Sequence, residues 1–247
     1  MSKTKEFFDV AETYLQRIIS QEKATIVAAA GMMGDCMNDN GIIQLFGLDH
    51  GVAFSMELGY RAGGLMPFHQ FRTSDLVLRD VISEADFKKP DFNDDLTMAT
   101  KLINLYNVDC ADMFCLISYS GNEPLIVEVA LQAKQNNHKI IAVVNKRMVA
   151  TLAPRHPSGK KLTDLADIVL DVLAPNPDTV MTLSDGSPFG QVSSICGNVI
   201  AQMLTAEIYR YLSDQGQSCP VLLSANVKGA DVHNRAISDK YLGRWNS

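Results

Sequence analysis

The stretch Met113-Phe-Cys-Leu-Ile-Ser-Tyr-Ser-Gly-Asn-Glu-Pro124 is the part of the sequence that decides the fold. It begins with five apolar residues in succession, which predict a strand buried on both faces. Residues 125–133 then carry apolar side chains at helical spacing, and residues 139–144 form a second apolar run. The unit over residues 113–144 has the length that a right-handed parallel crossover needs. The sequence therefore predicts a strand, a helix and a strand of a parallel sheet.

The same patterns extend the prediction to the rest of the chain. Apolar residues at helical spacing predict helices over residues 4–19, 21–38, 52–62, 95–107 and 191–215. Short apolar runs predict strands over 41–47, 168–170 and 221–223, and weaker patterns indicate a strand at 65–68 and helices at 75–82 and 160–166. Strands that lack alternation and are separated by helices are typical of a sheet covered on both faces. The predicted class is therefore α/β, a doubly wound parallel sheet flanked by helices.

Length and composition indicate one globular domain. The chain has 247 residues, of which 47% are hydrophobic and 20% are charged, and this is enough to bury a sizeable core. We expect a single domain over residues 1–247. Its predicted parts are N-terminal helices at 1–40, the sheet core at 41–224 and a C-terminal tail at 225–247.

Charge and hydropathy disfavour two classes of partner. The net charge is −6, so the overall field of the protein repels nucleic acid. The longest nearly apolar run, residues 24–33, is too short to span a bilayer, and the N-terminus has no apolar stretch of signal-peptide type. We therefore expect a cytoplasmic protein without a nucleic-acid or membrane partner.

Cysteine and histidine positions give no sign of a metal or a cofactor. The five cysteines form no C-x-x-C pair, and the five histidines form no H-E-x-x-H or other close pair. Two nucleotide-binding motifs also fail, because Pro154 takes the first glycine position of a Walker loop and Gly47-Leu-Asp49 breaks a G-x-G-x-x-G pattern. The prediction is reduced thiols, no metal and no cofactor.

The segment from Ser118 to Pro124 has the features of a phosphate-binding loop. It leaves a buried strand and enters a helix, so hydroxyls, backbone N–H groups and the helix N-terminus can point at one anion. The alternative is that Ser120 or Asn122 only caps the helix, and these residues by themselves do not decide between the two. In α/β sheets, ligands bind beyond the carboxyl ends of the strands, which here means the loops at 47–51, 118–123 and 145–160.

Several segments together resemble the SIS (sugar isomerase) domain family. The resemblance lies in S-x-S-G-N at 118–122, in the Gly47 loop with Glu57 on the next helix, and in segments 60–65, 155–160, 165–170, 224–226 and 231–235. These segments are similar to a phosphosugar-binding, phosphoheptose isomerase-like subgroup. The resemblance implies a flavodoxin-like three-layer fold and a phosphorylated sugar as ligand. It also implies homodimers or higher homo-oligomers with sites shared between subunits.

The resemblance further implies roles for individual residues. Ser118, Ser120, Gly121 and Asn122 take the phosphate-loop positions of the family. Glu57 matches the acidic residue that moves a proton between sugar carbons, a task that suits a carboxylate of raised pKa. The structural alternative is an ion pair between Glu57 and the arginine four residues later.

Two histidines and two loops complete the candidate site. His50 keeps its family position, as an acid/base, a phosphate donor or a structural residue. His233 matches a histidine that opens the sugar ring in related isomerases. Further possible substrate contacts are Gly47, Asp49, Arg155, His156 and Lys160.

The first loop departs from the family pattern. The chain has Gly47-Leu-Asp49-His50-Gly51 where the subgroup has G-x-G-H-S-H, so a carboxylate stands where phosphate contacts are expected. Asp49 either caps the following helix or repels a phosphate unless a cation intervenes. The helix at 191–215 also lacks the histidine that heptose isomerases carry there.

The resemblance implies aldose-ketose isomerisation of a phosphorylated sugar, with Glu57 as the base. One alternative is a lyase of the N-acetylmuramic acid 6-phosphate etherase kind, which also needs a glutamate. The other is a non-catalytic phosphosugar sensor. SIS-type regulators usually carry a helix-turn-helix domain, and the roughly forty residues before the first strand are too few for one. An enzyme is therefore favoured over a transcription factor.

Overall fold

The computed structural model describes residues 2–244. The α-helices of this part of the chain are α1 (Lys3–Gln21), α2 (Lys23–Asn38), α3 (Val52–Leu58), α4 (Asp75–Leu78), α5 (Glu84–Phe87), α6 (Thr97–Ile103), α7 (Pro124–Gln135), α8 (Lys146–Thr151), α9 (Ser193–Asp214) and α10 (Ala230–Ser238). The strands are β1 (Ile43–Gly47), β2 (Phe68–Phe71), β3 (Met113–Ile117), β4 (Ile140–Val144), β5 (Ile168–Asp171), β6 (Thr179–Thr182) and β7 (Pro188–Gln191). Short 3₁₀ turns lie at Asp49–Gly51, Phe92–Asp94, Leu162–Asp164 and Asp239–Tyr241.

Five parallel strands form the central sheet, in the order β2-β1-β3-β4-β5. The chain goes from β1 to one side to form β2 and then returns to the other side of β1 to form β3. The strand order therefore reverses between β1 and β3, and the loops that follow these two strands separate there. A crevice opens at such a switch point, where doubly wound sheets bind their ligands.

Helices cover both faces of this sheet. Alternate residues of β3 face opposite sides: Cys115 packs in a core cluster with α1, α2, α3 and α9, whereas Phe114 and Leu116 pack with α6 and α7. β3 is buried along its whole length, which explains its uninterrupted apolar sequence. The predicted α/β class, with a parallel sheet between helical layers and two N-terminal helices, is confirmed.

The predicted strand at 221–223 is wrong. Val221 makes only an isolated antiparallel bridge with Leu65, and the neighbouring Leu222 N–H donates to Gly64 O at 2.9 Å. This segment therefore lies along the irregular loop that precedes β2 and stays outside the sheet. The weaker pattern at 65–68 leads into β2, which begins at Phe68 because Pro67 has no N–H to donate to a strand partner.

Other elements differ from the sequence prediction in extent or were not predicted. The helix expected over 52–62 ends at Leu58, since Gly59 takes an extended conformation. The helix expected over 160–166 is only a 3₁₀ turn. The hairpin of β6 and β7 was not predicted, because its strands are short and half-exposed and carry no apolar run. The expected tail at 225–247 contains α10.

Membrane-spanning segments were searched for among residues 2–244. Across this part of the chain, no helix combines the length and the apolar character that crossing a bilayer requires.

A buried polar network lies at the amino-terminal end of the central strands. The Asp112 carboxylate accepts hydrogen bonds from Ile42 N and Gln44 Nε2, both at 2.8 Å, and forms an ion pair with Arg244. Gln44 Oε1 in turn lies 2.8 Å from His69 Nδ1, so this ring nitrogen carries the proton. Burial lowers the pKa of His69 to about 4, and the ring is therefore neutral near pH 7.

Candidate functional site

A cavity of about 280 Å³ opens at the carboxyl ends of the strands, beside the switch point. The loops after β1, β3 and β4 supply part of its wall, and the segment after β5 supplies the rest. The wall residues are Leu48, Asp49, His50, Ser118, Tyr119, Ser120, Glu123, Asn145, Met148, Asn176, Pro177, Asp178 and Gln191. The structure thus brings four predicted site residues to one cavity, namely Asp49, His50, Ser118 and Ser120.

The loop after β3 binds the carboxylate of one of its own residues. The hydroxyls of Ser118 and Ser120 both donate to the carboxylate of Glu123. The same hydroxyls accept hydrogen bonds from backbone N–H groups, Ser118 from Gly121 at 2.8 Å and Ser120 from Asn122 at 3.1 Å. Accepting from the backbone orients each hydroxyl so that its proton points towards the anion. Residues 118–123 therefore form an anion-binding loop that holds an internal anion, and we call them the serine loop.

Gly121 is required by the backbone of the serine loop. Its φ is +60°, in the left-handed region that favours glycine. A Cβ atom at this position would also lie only 3.1 Å from Val149 Cγ2 and 3.4 Å from Val144 Cγ1. Glycine at this position therefore lets the loop turn from β3 into α7 and pack against β4 without strain.

The first loop places Asp49 and His50 on the cavity wall. Gly47 allows this loop to fold back, because a Cβ atom there would lie 2.5 Å from Gly51 O. Asp49 has a φ of +50°, and its side chain caps neither the 3₁₀ turn nor α3. Asp49 therefore does not cap a helix, which was one of its two predicted roles. Its carboxylate lies on the wall of the cavity that also contains the Glu123 carboxylate.

His50 contacts an aromatic ring and a carboxylate. Its ring centroid lies 4.6 Å from that of Tyr119, and its Nε2 lies 3.9 Å from Asp178 Oδ2. Asp178 is fixed by α9, since Ser193 N donates to it at 3.0 Å and the Ser193 hydroxyl donates to it as well. This arrangement holds an imidazole and a carboxylate side by side on the cavity wall.

The hydroxyl of Tyr119 is buried without a hydrogen-bond partner among the described residues. Tyr119 is 7% exposed, and burial, together with the nearby Asp178 carboxylate, raises the pKa of its hydroxyl above the ordinary value. A Cβ atom on Gly197 would lie 2.5 Å from this hydroxyl, so α9 approaches the ring closely. Tyr119 is therefore a neutral polar group on the wall, with its hydrogen-bonding capacity unused.

Glu57 lies outside this wall. It accepts hydrogen bonds from Arg61 and from Gln202 on α9, and the first of these is the i,i+4 pair offered by the sequence as the structural alternative. Its neighbours on the outer side of α3, Val52 and Met56, are exposed. Within one chain, the structure does not bring Glu57 together with His50 and the serine loop.

The loop at 153–160 supports the serine loop from outside the cavity. Asn122 donates through Nδ2 to Ala153 O at 2.8 Å, and its Oδ1 accepts from Arg155 N at 3.1 Å. The Arg155 guanidinium pairs with Asp94 at 2.6 Å. The side chain of Asn122 thus joins two loops, and the Arg155 side chain points to a surface carboxylate.

The remaining predicted residues lie away from the wall. His156 is buried, with Nδ1 2.8 Å from Ser158 Oγ and Nε2 3.0 Å from Glu128 Oε2. Lys160 is exposed, and so is His233, whose Nε2 donates to Val221 O at 3.0 Å. The structure does not bring these three residues to the cavity.

Several wall residues escaped the sequence analysis. Tyr119 and Glu123 fall inside the loop that the sequence singled out, yet the sequence analysis gave neither of them a role. Asn145 directly follows β4, where a polar residue after an apolar run is a usable signal. Asp178 and Gln191 come from the segment between β5 and α9, and its path over the sheet edge leaves no trace in hydrophobic periodicity.

Metal ligands were searched for across residues 2–244. That part of the chain holds no group of three or more His, Cys, Asp or Glu side chains that could bind a metal ion. The three wall carboxylates, Asp49, Glu123 and Asp178, are therefore spread over the cavity instead of converging on one point.

Comparisons with known proteins agree with this architecture. The sequence profile of the SIS domain matches residues 6–145. A UPF0309 protein of Geobacillus kaustophilus is 31% identical over 240 residues, covering 97% of this chain and 94% of that protein. A UPF0309 protein of Caldanaerobacter subterraneus is 30% identical over 234 residues, covering 93% and 94%. A solved phosphoheptose isomerase from Francisella tularensis has the same fold, with a TM-score of 0.54 at 19% identity, covering 85% of this chain and 100% of its own.

Proposed function

The chain belongs to the SIS domain family, and from this premise we propose that its cavity binds a phosphorylated sugar whose phosphate group sits on the serine loop. The observation that supports the proposal is the convergence of the Ser118 and Ser120 hydroxyls on one carboxylate, that of Glu123. A phosphate group offers more acceptor oxygens and more negative charge than a carboxylate. It can therefore displace Glu123 and take the same two hydroxyl donors.

The residues around the serine loop can bind the ring and the hydroxyls of a phosphorylated sugar. His50, Tyr119, Asn176 and Gln191 line the same cavity, and they supply polar groups beside an aromatic ring. Sugar-binding sites need this combination, since hydroxyls must be hydrogen-bonded while the ring packs against apolar surface.

Thermal shift measurements with a panel of aldose and ketose phosphates test the binding. A ligand at a hundred times its Kd adds about 2.7 kcal/mol to the free energy of unfolding, which raises the Tm of a chain of this size by roughly 5–10 °C. Ser120→Ala should weaken binding about tenfold, because a hydrogen bond to a charged group is lost. Ser213→Ala, an exposed serine on α9, is the matched control. If no sugar phosphate shifts the Tm, phosphosugar binding is refuted.

The proposed reaction is the interconversion of aldose and ketose. This reaction moves a proton between neighbouring sugar carbons, so it needs a side chain that accepts and returns a proton. His50 is placed for this task on the cavity wall, and Asp178 stabilises the protonated imidazole from 3.9 Å. Glu57 does not reach the cavity of its own chain. We propose that it acts as a base in the cavity of a neighbouring subunit.

Turnover of a bound sugar phosphate in D₂O, followed by NMR, tests the reaction. Exchange of the proton next to the carbonyl carbon and formation of the other isomer are expected. His50→Asn should lower kcat about a hundredfold or more, as the loss of a general acid/base usually does. Loss of a substituent without isomer formation would favour the lyase, and binding without proton exchange would favour the sensor.

The proposed assembly is a homodimer formed through the outer face of α3. Met56, on this face, is 61% exposed, and Glu57 lies beside it. Light scattering should give about twice the chain mass of 27.1 kDa at micromolar concentration. Met56→Glu should yield monomers, whereas Leu78→Glu, at a residue that is 77% exposed elsewhere on the surface, should not. A monomeric mass for the natural sequence would refute the assembly.

A further inference from the structure

The wall of the cavity has an unusual charge for a site that takes a phosphate. It carries three carboxylates, Asp49, Glu123 and Asp178, and none of the described residues that line it is a lysine or an arginine. Lys146, which directly follows the wall residue Asn145, points to Glu22, with its Nζ 3.8 Å from Glu22 Oε1. A phosphate group entering this cavity therefore meets negative charge with no lysine or arginine side chain on the described wall to offset it.

Displacement of Glu123 makes this imbalance larger. While its carboxylate accepts from Ser118 and Ser120, its charge is stabilised by two hydroxyl donors. A phosphate that takes over these donors leaves the carboxylate on a neighbouring part of the same wall. Glu123 must then find another partner, and the described wall residues offer it no ammonium or guanidinium group.

The other two carboxylates also have no ammonium or guanidinium partner, although Asp178 lies 3.9 Å from His50 Nε2. Asp178 is held at the start of α9 by the backbone and hydroxyl of Ser193. Asp49 is exposed and accepts no hydrogen bond from a described side chain or backbone group. Since the described residues hold no metal-binding cluster, the wall itself does not provide for a bridging metal ion either.

We infer that the cavity takes a phosphorylated sugar with a free amino group, and that Glu123 selects this class by pairing with the ammonium group. This inference rests on the proposed binding of a phosphosugar. The phosphate accepts hydrogen bonds from the two serine hydroxyls. The displaced Glu123 carboxylate then pairs with the ammonium group of the same ligand, and the negative charge of the carboxylate offsets the positive charge of the ammonium group.

Calorimetric titration with two ligands that differ at one position tests the inference. Glucosamine 6-phosphate and glucose 6-phosphate are compared at pH 6.5, where an amine of this kind is protonated. The natural sequence should bind the amino sugar at least tenfold more tightly. In Glu123→Gln, this preference should fall to threefold or less, because the affinity for glucose 6-phosphate rises once the internal anion is gone.

Two controls separate charge selection from other effects. Glu207→Gln, on the exposed side of α9, makes the same change in net charge and should leave the preference unchanged. Equal melting temperatures of the variants and the natural protein, without ligand, check that the fold is intact. If Glu207→Gln reduced the preference as much as Glu123→Gln does, net charge would be the cause and the role of Glu123 would be refuted.

The outcomes also separate this inference from the proposed function. If both ligands bind the natural sequence equally well, selection of an amino sugar is refuted while phosphosugar binding stands. If glucose 6-phosphate matches the amino sugar only after Mg²⁺ is added, a metal ion supplies the positive charge and the inference is again refuted. If neither ligand, nor any other sugar phosphate of the panel, binds the natural sequence or Glu123→Gln, the proposed function itself fails.

Discussion

Lowering the pH from 7.5 to 5.0 should destabilise the fold through one histidine. His69 lies on β2 and is 8% exposed, and its Nδ1 donates to Gln44 Oε1 within the buried polar network. Burial lowers its pKa from 6.5 to about 4. Below pH 6.5 the unfolded chain takes up a proton that the folded chain does not accept until the pH nears 4. The free energy of unfolding therefore falls as the pH decreases through this window and levels off below it.

The magnitude follows from the two pKa values. At pH 5.0, with a pKa of 6.5 in the unfolded chain and about 4 in the folded one, the loss of stability is about 2 kcal/mol. His69→Asn keeps an N–H donor near the position of Nδ1 and removes the titration. Urea unfolding followed by circular dichroism at both pH values measures the difference. If the natural protein and His69→Asn lose the same free energy between pH 7.5 and 5.0, the reasoning on His69 is refuted.

Three further substitutions test the loops and the network. Asp49→Asn should leave stability unchanged, because Asp49 caps no helix. It should tighten the binding of a sugar phosphate that has no amino group about threefold, by Coulomb's law for two unit charges roughly 6 Å apart in water. Calorimetric titration measures the affinity, and thermal unfolding measures the stability. Gly121→Ala should cost about 1–2 kcal/mol of stability because of its φ of +60°, and an unchanged Tm would show that the loop relaxes. Arg244→Ala should lower the free energy of unfolding by about 2 kcal/mol. The loss is smaller than for a buried ion pair whose remaining charge has no other partner, because Asp112 keeps three N–H donors. Urea unfolding measures the loss, and a value under about 0.5 kcal/mol contradicts the prediction.

The sequence predicted the sheet because its central strands leave a direct trace. β3 and β4 are buried on both faces, so they appear as uninterrupted apolar runs, and α7 between them is long enough for its periodicity to be recognised. The segment at 221–223 has the same apolar character but pairs with an irregular loop. A run of three apolar residues does not show whether the segment is a strand of the sheet or lies along a loop. Hydrophobicity indicates that the segment is buried, but it does not indicate which segment pairs with it.

The candidate site could be predicted only in part for a related reason. The serine loop and His50 follow predicted strands, so topology alone brings them to the same edge of the sheet. Glu123 was visible within the serine loop, but its carboxylate reaches the two hydroxyls only through the turn at Gly121. Asp178 reaches the wall by a path from β5 that depends on tertiary packing against α9. The Asp178 contact has no sequence spacing that would reveal it, whereas Ser120 and Glu123 have the S-x-x-E spacing that often begins a helix.

The direction of α3 explains why His50 and Glu57 do not meet within one chain. His50 precedes the helix at the carboxyl edge of the sheet, and each helical residue adds about 1.5 Å along the axis, so Glu57 lies roughly 10 Å further along. A helix that follows a parallel strand runs back towards the other edge, and the residues near its end therefore leave the cavity of their own chain.

A shared site can be recognised by mixing two inactive variants. If Glu57 serves the cavity of the partner, a dimer of one His50→Asn chain and one Glu57→Gln chain has one doubly defective site and one intact site. Mixing equal amounts and allowing the subunits to exchange should restore about a quarter of the natural activity, because half of the dimers are hybrids. If both residues act within one chain, every site carries a defect and the mixture stays inactive. Activity of Glu57→Gln alone at the natural level would remove Glu57 from the reaction altogether and leave proton transfer to His50.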